Sequence, residues 1–312
     1  MLEQGLRALV GQVLLTAVLL GGLAAPATAE ETKLNVGYVP AGDFLPAFVA
    51  KDKGFFTKHG LDITLTKILI ASNFPPALVS RSIDIGMSTA PGLLQAADSG
   101  LDLALISGMS RLQKEPSFVS LVARTAAKVA TPADLKGKKI GVPGFSSMFD
   151  YGLRVWLLDH NIKLDEVSIV EAPFPQMHDM LANGTVDAVA VLEPFRSRIV
   201  GDGTGTRVAD FLSDVNPDVT GAFWIATGDW IAQHRNLLQP FRDSLADAIA
   251  YIAANPDDAH AVEKAYLGVN SPVLPTYSLK VAKADLEFWE TVGKRLGVLR
   301  QPIDAAKLLR NQ

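Results

Sequence analysis

Short apolar runs recur along the chain, set apart by polar stretches marked with Gly and Pro. Seven of them, at 34–38, 63–66, 83–87, 103–107, 139–142, 167–171 and 186–192, predict buried strands. The segments between them carry apolar residues at helical spacing. Strands alternating with helices predict an α/β fold, with parallel sheets covered by helices. Residues 229–312 read as mostly helical, with helical spacing over 241–254 and 257–267 and a break at Asn255-Pro256.

The pattern repeats. Residues 54–87 and 156–190 each run through a helix end, a strand, a loop holding Phe-Pro, a helix, a turn and a strand opening on Ile-Asp or Val-Asp. Two such units in tandem predict two lobes, because a solenoid needs more repeats. A new start is expected at 130–144, where Thr131 caps a one-turn helix, Gly137 stops it and a strand follows. The apolar segments 118–124 and 221–227 flank the second unit and are expected to connect the lobes. The predicted division is lobe 1 from 30–120 with 222–312, and lobe 2 from 121–221. Gly201, Gly203 and Gly205 read as a flexible loop.

The first 29 residues form a separate unit. Residues 6–25 are apolar apart from Arg7, Gln12 and Thr16, and Ala27-Thr28-Ala29 supplies the small residues of a peptidase site. This predicts an export signal cut after Ala29, with the polar residues 30–33 beginning the mature chain. An uncleaved anchor is the alternative, because the stretch is nearly long enough to span a bilayer.

Composition narrows the classes. At 48% hydrophobic and 20% charged, the 312-residue chain is globular rather than disordered. A net charge of −4 leaves no electrostatic footprint for nucleic acid. There is no cysteine, which removes disulfides, thiolate metal sites and cysteine nucleophiles. The five histidines include no His-Glu-x-x-His, and there is no Gly-x-Ser-x-Gly elbow. No enzyme, cofactor or metal is expected.

Four strings occur in a telling order: AFVAKDKGFFTKHGLDITLT, ALVSRSIDIGMSTAP, ATPADLKGKKIGVPGFSSMFDYGLRVWL and MLANGTVDAVAVLEPF. Together they resemble the nitrate/sulfonate/taurine-type periplasmic binding proteins of ABC transporters, over roughly residues 33–230. The resemblance implies a type II periplasmic-binding fold, with a small solute held between two closing lobes. It also implies a periplasmic location, a monomer with one ligand, and a partner permease with its ATPase. A sensor docking on a receptor is the alternative. The family's enzymatic relatives, the thiamine-pyrimidine synthases, depend on cysteines that this chain lacks.

In such a fold the cleft is lined by loops that follow strands. Asp43 and Phe44 follow the first strand. Ser72 and Asn73 lie in the next loop. Ser88 and Thr89 precede a helix with Pro91 in its first turn, and Thr89 is expected to cap it. Ser146, Ser147 and Met148 open another helix, with Ser147 and Asp150 spaced as a capping box. Each helix start offers unpaired N–H groups to an anionic oxygen. Glu193 follows the 186–192 strand, and Phe223 and Trp224 offer an apolar wall. Plain caps, turn formers and core residues are the competing reading of these positions. Acids beside two anion-receptive helix starts, crowded by Phe side chains, suit a zwitterion or a neutral aromatic or heteroaromatic solute better than bare nitrate.

Overall fold

The computed structural model describes residues 31–311. The expected export signal, 1–29, lies outside them. Among the described residues no helix is long and apolar enough to cross a membrane.

In chain order the strands are β1 (Thr32–Tyr38), β2 (Leu61–Lys67), β3 (Gly86–Ser88), β4 (Leu103–Gly108), β5 (Ser110–Gln113) and β6 (Val119–Arg124). There follow β7 (Lys139–Val142), β8 (Ser168–Glu171), β9 (Ala188–Leu192), β10 (Gly205–Ala209), β11 (Asp218–Thr220), β12 (Phe223–Thr227) and β13 (Thr276–Tyr277). All seven strands expected from the apolar runs are present.

Strands β6 to β10 form one five-stranded sheet in the order β10-β6-β9-β7-β8. Its members come only from residues 119–209. The pairs β7–β8 and β7–β9 are parallel, as alternating strands and helices require. The remaining sheets draw on residues before and after that span: β1 with β2 in parallel, and β3-β12-β4 in antiparallel array. A bridge from Val36 to Ile85 links the two. Two α/β lobes result.

The two segments expected as connections fold largely as strands. Segment 118–124 is mostly β6, held between β10 and β9, and 221–227 is mostly β12, held between β3 and β4. Both are apolar, as strands in the middle of a sheet and buried on both faces are. A separate three-stranded ribbon, β11-β5-β13, has Val219 facing Leu112 in antiparallel register. Arg111 ties this ribbon, its Nε 2.5 Å from Asp218 and its NH1 3.2 Å from Asp285. Gly205 is also no loop residue: it opens β10 opposite Arg124.

Aromatic side chains pin the floor of the cleft. Phe44 meets Trp224 edge-on at 5.2 Å between ring centres, and Trp224 meets Phe241 at 5.4 Å. All three are buried, so this stack fixes the loop after β1 against β12 and the long helix Arg235–Ala254.

Candidate ligand-binding site

Two helix starts from different lobes meet at the centre of the molecule. Helix Ala90–Asp98 follows Thr89, whose extended backbone and a proline in the first turn set the entry. Thr89 does not cap that helix with its side chain. Its Oγ1 accepts instead from the backbone N–H of Met148, 3.1 Å away on the other lobe. Met148 opens helix Met148–Asp159, and here the expected cap is made: Ser147 Oγ accepts from Asp150 N at 3.3 Å. The same hydroxyl donates to Gly144 O at 2.7 Å.

The acid of this capping motif is displaced by one residue. Asp150 Oδ2 accepts from Ser146 N at 3.0 Å, which holds Ser146 in the left-handed region at φ 59°. Burial pushes the Asp150 carboxyl up from its ordinary value, and Arg154, with Nε 2.6 Å from Oδ1, pulls the other way.

Two chambers open around this junction. The outer one, about 220 Å³, is lined by Ser88, Gln95, Ser146 and others, with Leu101 and Phe145 partly exposed along it. The inner one, about 30 Å³, is lined by Asp43, Phe44, Met148, Phe149, Phe174 and Leu192 among others. Ala71, Met87, Thr89 and Ser147 border both. Both lobes contribute walls to each chamber. No Lys or Arg lines either one, so neither wall offers an anion a cationic side chain. Asp43 is the one ionisable side chain on the inner wall. Its carboxyl is raised by burial, while a hydrogen bond donated by Ser110 Oγ to Oδ1 opposes the shift.

The lobes also touch along the rim. Ser72 Oγ donates to Glu171 Oε1 at 2.7 Å, and Phe145 N donates to the same oxygen at 2.8 Å. Ala71 N donates to Pro143 O at 3.2 Å, and Tyr151 OH to Gln95 Oε1 at 3.0 Å.

Of the expected site residues, Asp43, Phe44, Ser88, Thr89, Ser146, Ser147 and Met148 line one chamber or both. Four lie elsewhere. Asn73 is exposed and borders neither chamber. Glu193 is fully buried, but its carboxylate turns back onto the next helix, accepting from Ser197 N at 3.1 Å and Ser197 Oγ at 2.8 Å and pairing with Arg196. Phe223 and Trp224 are core residues of β12. Gln95 and Glu171 were not anticipated. Gln95 sits along the helix begun by Thr89, and Glu171 ends β8, where the loop rule could have found it. Among the described residues no cluster of His, Asp and Glu is placed to hold a metal ion.

Residues 27–267 match the model of the NMT1-like family. The chain belongs to that family. It is 31% identical over 259 residues to the bicarbonate transport ATP-binding protein CmpC of Synechocystis sp., covering 75% of this chain and 37% of that one. It thus spans little more than a third of that relative. Among solved structures, this NMT1-like chain resembles the alkanesulfonate-binding protein SsuA from Xanthomonas axonopodis pv. citri bound to MOPS. The TM-score is 0.77 at 20% identity, over 90% of this chain and 99% of that one. The periplasmic nitrate-binding protein NrtA from Synechocystis PCC 6803 gives 0.76 at 17% identity, over 88% and 84%. These likenesses establish the fold, that of periplasmic binding proteins.

Proposed function

We propose that this NMT1-like chain is the substrate-binding component of an ABC import system. It captures one small organic solute, sulfonate- or taurine-like or else aromatic, between its lobes, and the closed pair docks on a membrane permease served by an ATPase. The reading places the mature chain in the periplasm, cut from its signal after Ala29. We take its lobes to be 30–120 with 222–312, and 121–221, boundaries that fall at the start of β6 and just ahead of β12.

The observation that carries it is the hydrogen bond from Met148 N to Thr89 Oγ1, set between two chambers walled by both lobes. A solute seated there touches both lobes at once and so favours the closed arrangement by its differential affinity. The solved neighbours support an anionic group on the solute: one is alkanesulfonate-binding, and another is nitrate-binding.

A thermal-shift screen with alkane- and arylsulfonates, taurine, nitrate, bicarbonate and aromatic carboxylates tests the reading. A solute at a hundred times its Kd adds about 2.7 kcal/mol of stability. X-ray scattering of the chain with and without a hit then reports closure. Silence across the whole panel, or a hit without compaction, counts against the proposal.

A further inference from the structure

Five carboxylates are buried among the described residues: Asp43, Asp150, Glu193, Glu263 and Asp285. Four have a basic neighbour. Asp150 has Arg154, Glu193 has Arg196, Glu263 has His260 at 3.4 Å, and Asp285 has Arg111 at 3.2 Å. Asp43 has none, although it is 6% exposed. Its side-chain partner is the hydroxyl of Ser110, which donates to one of its two oxygens. Of the five, Asp43 is also the one that lines a chamber. A buried carboxylate without a cation is costly, and the usual remedies are a paired base or neutralisation. Here the site itself lacks the base.

Size narrows what can supply it. The inner chamber of about 30 Å³ compares with the roughly 10–15 Å³ that a single water needs. It admits an ammonium-sized group and excludes an aromatic ring. The outer chamber is larger and has no carboxylate among its lining residues; the hydroxyls of Thr89 and Ser146 stand along it, while those of Ser88 and Ser147 donate to Thr89 O and Gly144 O.

We propose that the solute is a small zwitterion, whose ammonium group enters the inner chamber against Asp43 while its anionic end stays in the outer chamber among these hydroxyls. This rests on the solute-binding reading above and deepens it. Asp43 is then the residue that sets specificity, and Ser110 on β5 orients it.

Calorimetry with two matched pairs tests this: taurine against isethionate, and β-alanine against 3-hydroxypropionate. Within each pair a hydroxyl replaces the amine. The expected result is that at least one amine compound binds about tenfold to a hundredfold more tightly than its partner, the range for a charge-assisted hydrogen bond. Asp43→Asn should erase that preference. The wild-type comparison needs no variant, so it stands even if Asp43→Asn fails to fold. Equal binding within both pairs overturns the zwitterion and leaves the solute-binding function intact. No binding by any of the four also overturns it. In that case nitrate, bicarbonate and an arylsulfonate in the same assay decide whether the broader function falls with it.

Discussion

Gly144 lies so close to Ala71 that a methyl group on it would sit 2.8 Å from the Ala71 Cβ and 3.0 Å from the Ala71 backbone nitrogen. The two residues belong to loops of opposite lobes, and backbone cannot yield as a flexible side chain can. Gly144→Ala is therefore expected to fold normally and to hold the cleft ajar. Ligand affinity should fall about tenfold or more, in line with overpacking costs. Scattering should show less compaction on ligand binding than in the wild type. Unchanged affinity would mean that this contact does not form in the bound state.

Ser147 serves its own helix and the chambers together. Ser147→Ala should cost about 1 kcal/mol of stability through the lost cap. Ser147→Asp keeps a capping oxygen and should restore stability, but it brings a negative charge to the junction of the chambers. If Ser147 contacts an anionic solute end, thermal melts will show the aspartate variant recovered, while calorimetry shows its binding lost.

Asp43 gives the ligand-free chain a pH dependence. Its carboxyl is raised by burial, so the native state holds that proton more firmly than the unfolded chain does. The associated stability is fully present below the ordinary aspartate value of about 3.9, and it is lost as pH rises through the raised value. The titratable groups packed nearby bring no compensating positive charge. Tyr277 donates its hydroxyl to Gly42 O at 3.1 Å, and Glu263 is engaged with Ser271 and His260. Asp43→Asn should raise the melting temperature of the free chain at pH 7 and flatten its dependence above pH 4. An equal or lower melting temperature at neutral pH would refute this.

His178 clips the turn before β10. It lies 2.7 Å from Asp179 and 2.7 Å from Asp202, and these carboxylates, Asp179 foremost, raise its pKa. The clip stabilises fully below the ordinary imidazole value of about 6.5 and fades as pH rises through the raised one. The stability difference between wild type and His178→Gln should therefore shrink from pH 6 to pH 9. Paired melts across that range report it.

Much of the fold was legible because strands such as β4 and β9 are buried throughout and carry apolar runs. What escaped was short or polar. β5 (Ser-Arg-Leu-Gln) and β10 (Gly-Thr-Arg-Val-Ala) owe their strand state to antiparallel partners, which local composition does not reveal. An apolar central strand and an apolar linker look alike in sequence, so 118–124 and 221–227 read as connections and fold as β6 and β12. In the candidate site, loops after strands led to seven residues that line a chamber, but side-chain direction was hidden. Thr89 has the form of a cap and instead reaches across to Met148. Glu193 was legible in part, because Arg196 and Ser197, three and four residues on, were available to claim its carboxylate.

The absence of Lys and Arg from both chamber walls has a kinetic side. Long-range attraction of a charged solute comes from net charge in and around a cleft, and it weakens as salt shortens the Debye length. A site that binds an anion through hydroxyls and backbone amides exerts its pull only at contact. In a chain of net charge −4, capture of a zwitterion, whose net charge is zero, then proceeds at a diffusional rate almost indifferent to ionic strength, whereas a bare anion is repelled at low salt. A site of this kind keeps its rate of zwitterion capture constant while the salinity around it changes.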